Sequence, residues 1–162
     1  MNYEQCSIAF QAHDHHHCID DALGAAKAVC AQQGANLTQL REDVLTLVWQ
    51  SHKPLGAYDI LEALSKKTNS RTAPPTVYRA LEFLQAQGLV HRLATLNAYI
   101  GCCHPGKPHS SQFLICRTCG ITVEVHNTLS EQITNHLHGF KIDSVSVEVT
   151  GWCPTCQQEA IP

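Results

Sequence analysis

The sequence predicts an α+β chain in two unequal parts. An N-terminal winged helix-turn-helix domain is followed by a small α/β domain stapled by a four-cysteine zinc site. Three observations predict this. Residues 74–102 read as one helix followed at once by a two-stranded ribbon, the layout of a winged DNA reader. Cys116 and Cys119, then Cys153 and Cys156, form two Cys-x-x-Cys pairs, the ligand pattern of a tetrahedral zinc site. Residues 103–112, rich in Pro, Gly, His and Ser, lie between the two patterns as a linker. The expected boundaries are a flexible His-rich tail over 1–19, the winged helix over 20–102, a hinge over 103–112 and the second domain over 113–162.

The tail holds His13, His15, His16, His17 and Cys18, a biased tract of the kind that binds metal loosely or stays disordered. Asp20 or Asp21 is placed to cap a first helix that stops at Gly34. Thr38 starts a second helix, with Leu40, Val44, Leu47 and Val48 on one face. After a turn at 52–56, a third helix points Ala57, Ile60, Leu61 and Leu64 inward and leaves Tyr58 and Asp59 elsewhere. A polar loop with Lys66, Lys67 and Arg71 follows. The next helix opens on Pro74 and Pro75, whose missing N–H groups cost nothing in a first turn. Val77, Ala80, Leu81 and Leu84 share one side of it; Tyr78, Arg79 and Glu82 share the other. Gly88 closes it, and 89–93 and 98–101 form the ribbon around a turn at 95–97. In the second domain, 113–115 and 121–125 are strands around the first cysteine pair. Thr128 and Glu131 form a capping box for a helix carrying Leu129, Ile133 and Leu137. Val145, Val147 and Val149 alternate with polar residues as a half-buried strand.

The chain has 162 residues with nine cysteines and eleven histidines. No apolar run reaches the roughly 18 residues of a membrane span. The N-terminus lacks a signal-peptide pattern, so the expectation is a soluble, cytoplasmic protein with no membrane partner. In a reducing compartment, spaced cysteines read as metal ligands before disulfides. The net charge of −3 does not advertise nucleic-acid binding. Its distribution is more informative: residues 35–101 carry seven Lys/Arg against five Asp/Glu, a mildly basic stretch that coincides with the expected DNA reader.

Two Cys-x-x-Cys pairs, with Gly120 relaxing the first turn, suit a closed structural Zn²⁺ site. A domain of about fifty residues has little core of its own and needs the metal, a partner chain, or both. A thiol-redox pair would favour a thioredoxin-like context, absent here, and nothing else suggests an iron–sulfur cluster. Away from this clasp, His91, Cys102, His104, His109, Glu124 and His126 bracket the hinge. A mix of nitrogen, sulfur and oxygen donors is what an exchangeable zinc site uses. Each residue alone reads as an ordinary loop or surface group; together they read as a site joining the domains. Cys103, directly after Cys102, leaves open which thiol coordinates.

At this point the motifs carry a resemblance. NLTQLREDVL, AYDILEAL, PPTVYRALEFLQAQGLVHR, FLICRTCG and GWCPTCQ resemble, in order, the ferric uptake regulator family and within it the zinc uptake regulators. The resemblance implies a homodimeric, zinc-responsive transcriptional repressor, not an enzyme, with a C-terminal dimerisation domain. It implies two Zn²⁺ per subunit and double-stranded DNA with a palindromic operator as partner. It makes Cys116, Cys119, Cys153 and Cys156 the structural ligands, and His91, Cys102, His109 and Glu124 the regulatory ligands. Tyr58 and Arg79 match DNA-contacting residues, and Tyr78 stands beside Arg79 on the polar side of that helix. Gln39 stands where the family usually has Pro, which is a tolerated change early in a helix. The linker CCHPGKPH lacks the His-His-Asp-His run of iron-sensing members, and a thiolate donor favours zinc over iron or manganese. The competing readings are another metal or peroxide sensor of the same family, a zinc-dependent hydrolase or deaminase, and a metal store built on the His tract. The hydrolase would take Glu124 as base, yet neither the deaminase nor the His-Glu-x-x-His signature is present. The store would leave the Tyr78–Arg79 helix without a purpose.

Overall fold

The structure, a computed structural model, describes residues 14–106, 109–125, 141 and 145–159. The chain divides into two compact units, His13–Lys107 and one that includes Pro108–Pro162. The division falls inside the stretch expected as a hinge.

In the first unit, helix α1 spans His15–Gln32. It begins five residues before Asp20, because Asp14 takes the cap: its Oδ1 accepts from the His16 N–H at 2.9 Å. Residues 15–19, expected in a flexible tail, are therefore the first turn of a helix. Gly34, at φ +63°, ends it, and the Ala35 N–H returns to the Cys30 carbonyl at 2.8 Å. Helix α2 (Gln39–Trp49) buries Val44, Leu45, Leu47 and Val48. A two-residue strand, β1 (Leu55–Gly56), precedes helix α3 (Ala57–Thr68), where Asp59 accepts from the Gly56 N–H at 3.2 Å. Helix α4 (Pro74–Ala86) buries Val77, Ala80, Leu81 and Leu84, the four residues its periodicity selects. Gly88, at φ +65°, turns the chain into β2 (Val90–Leu93), and a tight turn leads to β3 (Ala98–Gly101).

The three strands form an antiparallel sheet in the order β1-β3-β2, a ribbon with one short extra edge. The core is continuous from α1 through all the helices to the sheet, including Val29, Val44, Leu64, Leu81, Leu84 and Val90. Gly101 is fixed by close approach. A Cβ there would fall inside the Trp49 indole, which comes from the end of α2. Gly101→Ala is expected to destabilise this unit by ~1–3 kcal/mol, the usual cost of overpacking a filled core. Urea unfolding followed by circular dichroism measures it; an unchanged midpoint would mean the indole swings away freely.

In the second unit, β4 (Ser111–Cys116) is central, antiparallel to β5 (Thr122–Val125) and parallel to β6 (Ser146–Gly151). Strand β4 starts two residues earlier than expected, inside the hinge range, and Ser111 and Gln112 are buried there. Strand β6 does not alternate as its sequence suggests. Val147 and Glu148 are half-buried side by side, while Val149 is 47% exposed. As an edge strand it carries no simple two-residue burial period. A parallel pair needs a long crossover between its strands, here the stretch after β5. The helix expected from Thr128 lies there, outside the described residues. A short helix, α5 (Pro154–Glu159), ends the described chain.

Candidate metal centres

The four-thiol cluster follows directly from strand register. Strands β4 and β6 run the same way, with Cys116 opposite Gly151. Both strands therefore exit at one end, and each is followed there by a Cys-x-x-Cys turn. The backbone locks this end: the Arg117 N–H donates to the Gly151 carbonyl at 2.8 Å, and the Gly120 N–H to the Cys116 carbonyl at 3.0 Å. Gly120, at φ +75°, gives the first knuckle its left-handed residue. The four Sγ atoms lie within 4.8 Å of one another, with Cys119 and Cys153 at 3.7 Å.

That spacing fits zinc. A tetrahedron with Zn–S bonds of about 2.3 Å places its sulfurs about 3.8 Å apart. The electrostatics fit as well. Backbone N–H groups of Cys119 and then Cys153 pull the Cys116 thiol down to about 6, so it is ready to ionise. Chiefly its Cys153 neighbour pushes the Cys156 thiol up to about 12. Packed thiols cannot all ionise side by side without a cation; a dication among them removes that conflict.

The other predicted donors are ordered within each unit. In the first, His91 lies on β2 opposite Ile100 of β3. Cys102 is two residues beyond Ile100, so it projects to the same face as Ile100 and His91. Its N–H is held by the Leu89 carbonyl at 3.0 Å, and it is 2% exposed. The Cys102 Sγ and a His91 ring nitrogen lie within 4.8 Å. Cys102 is not in a disulfide, whereas Cys103 is disulfide-bonded. Cys103 thus departs from the expectation that the cysteines are metal ligands first, and it offers no thiolate. In the second unit, Glu124 on β5 is 3% exposed and meets the His109 Nε2 at 2.7 Å. A buried carboxylate needs a partner to offset its lost hydration, and histidine or a metal supplies one. His104 is half-buried in the first unit, and His126 lies outside the described residues.

Two of the three predicted DNA residues, Tyr58 and Tyr78, line one cleft of the first unit; Arg79 is not among its lining residues. Tyr58 opens α3 and is 74% exposed; Tyr78 and Arg79 project from the first half of α4 and are also exposed. The cleft has a volume of about 500 Å³ and is also lined by Arg92, Asn97 and Tyr99. These last three come from the ribbon, and sequence reasoning missed them. Arg92 donates to the Asn97 Oδ1 at 2.7 Å, and Asn97 adopts φ +47°. An Asn in a short turn between strands, with Arg on the strand before it, was the available signal.

The profile of the Ferric uptake regulator family matches residues 32–150. The zinc uptake regulation protein of Escherichia coli (strain K12) is 36% identical over 140 residues, 84% of this chain and 81% of that protein. A solved structure of a zinc uptake regulator complexed with zinc and DNA superimposes with a TM-score of 0.79 at 33% identity, covering 93% of this chain and all of that one. The crystal structure of holo XcZur gives a TM-score of 0.78 at 35% identity, over 86% and 99% of the two chains.

Proposed function

The chain belongs to the ferric uptake regulator family, and on that premise we propose that it is a zinc-responsive, DNA-binding repressor of zinc-uptake genes. One observation carries the reading. The wing of a DNA-reading fold carries a metal-donor pair, His91 within β2 and Cys102 one residue beyond β3. Two separate donor groups in this chain, and a relative solved with zinc and DNA, support two zinc ions per subunit. Cys116, Cys119, Cys153 and Cys156 hold the structural ion. His91, Cys102, His109 and Glu124 hold the regulatory one. The protein acts as a homodimer in the cytoplasm, and among the described residues no helix is long and apolar enough to cross a membrane. The hydrolase and deaminase readings find no support in the family.

Zinc at the regulatory site supplies a tetrahedral cross-link between side chains. His91 and Cys102 are anchored by the wing sheet, while His109 and Glu124 are anchored around β4 and β5. Their joint engagement restrains the first unit for operator binding. The size of the switch equals the extra affinity the four donors gain in that arrangement, and no more. A two-fold dimer then presents two α4 helices to two half-sites of a palindrome. The direct test is binding to a palindromic operator of the family type with buffered free zinc as the variable. Affinity should rise with zinc and fall on chelation; a zinc-independent affinity would overturn the reading.

Base reading is assigned to Arg79, which is exposed in the first half of α4. A bidentate guanine contact discriminates by ~1–3 kcal/mol, so Arg79→Ala should weaken operator binding by that amount and leave zinc content unchanged. Tyr58 and Tyr78 flank it as contacts to a thymine methyl or a phosphate. Competition between operator and random duplex at fixed salt measures the effect. Unaltered preference for the operator would remove Arg79 from the reading role.

A further inference from the structure

The winged unit contains a second group of metal-donor side chains, separate from His91 and Cys102. His15 and Cys18 stand three residues apart in the first turn of α1, so they share a face. His52 approaches that face from the loop between α2 and β1. One ligand atom from each of the three lies within 4.8 Å of the others. The rings of His15 and His52 are 4.9 Å apart, centre to centre, and tilted by 45°. All three side chains are half-buried, so the group is held in the surface of the unit and is not strung along a free tail.

We propose that His15, Cys18 and His52 form a third metal site, for Zn²⁺ or a cation of similar borderline softness. Two imidazoles and a thiolate satisfy three corners of a tetrahedron, and water takes the fourth. Three donors and one open position make the site exchangeable, weaker than the closed four-thiolate clasp. A helix N-terminus repels a cation, but Asp14 at the cap and Asp20 and Asp21 in the next turn place negative charge there. Cation binding pins the start of α1 to the loop that leads through Leu55 into β1. The site thereby staples the outer helix to the edge of the wing sheet. His16 and His17 belong to the same tract but not to the cluster, so the tract is a built site with neighbours, not a uniform metal sponge.

Cobalt is a suitable probe, because a Co²⁺–thiolate bond gives a charge-transfer band. Full-length protein with its clasp zinc retained is titrated with Co²⁺ under reducing conditions. The wild type is expected to take up two equivalents per subunit, both with thiolate bands. Cys18→Ser and His52→Gln should each take up one, as should Cys102→Ser, by losing the other site. The doubly substituted His16→Ala, His17→Ala protein should still take up two. Two equivalents taken up by both Cys18→Ser and His52→Gln, or a single wild-type equivalent that these two variants keep and Cys102→Ser loses, would overturn the third site. Loss of an equivalent in the His16, His17 double variant would overturn it in favour of a diffuse tract. Loss of operator response in Cys102→Ser alone tests the proposed regulation, and it is read out separately.

Discussion

Replacing Cys116 or Cys153 by serine is expected to remove the structural zinc and unfold the second unit. Three buried cysteines of this unit, Cys116, Cys153 and Cys156, cluster with each other and with Cys119. Leu114, Val149 and Trp152 are largely exposed, so they add little to a core within one subunit. Structural zinc in small domains is worth ~10–16 kcal/mol at neutral pH, as much as the ~5–15 kcal/mol that holds a whole domain together. Three thiolates left around an incomplete tetrahedron retain too little of that. Zinc analysis should fall by one equivalent per subunit, circular dichroism should lose the second unit's signal, and sedimentation should show monomers. A Cys153→Ser protein that keeps its zinc and stays dimeric would mean the four sulfurs are not the ligands.

The second large effect concerns Cys102. Cys102→Ser should fold, dimerise and keep the clasp zinc, yet lose its response to zinc at levels that saturate the wild type. Coupling between two binding sites is typically about 5–150-fold, and that factor in operator affinity is what the variant should lose. Excess zinc should restore part of it, since a hydroxyl is a poor oxygen donor. Cys103→Ser should keep the response, because Cys103 carries no free thiol and Cys102 alone follows the His91–Ile100 pairing to its face. Zinc stoichiometry and operator titrations on both variants decide it. A blind Cys103→Ser protein with a responsive Cys102→Ser partner would move the site one residue along the chain.

The sequence was most legible where one physical signal acted alone. The buried face of α4 could be read because Val77, Ala80, Leu81 and Leu84 repeat at helical period and two prolines mark the start. The clasp could be read because its chemistry leaves few alternatives. Strand β1 was invisible, since two residues carry no period. The start of α1 was hidden by composition: a run of histidines resembles a tail, and Asp14 as a cap competes on paper with Asp20 and Asp21. Strand β6 misled because its alternating valines suggest one buried face, whereas an edge strand can turn either face outward. His52 gave no signal at all. Its meaning depends on a helix thirty-odd positions earlier in the chain, which only the packing of α1 against α2 brings near.

The contact between Trp49 and Gly101 also gives the protein an optical handle. The chain has two tryptophans. Trp49 rests on the backbone next to Cys102, and Trp152 directly precedes Cys153. Each unit thus carries one indole chromophore beside its metal donors. The exposed Trp152 emits from a watery setting and the half-buried Trp49 from a drier one. Two fluorophores separable by colour follow occupancy of the two kinds of site, without a label and in the same cuvette.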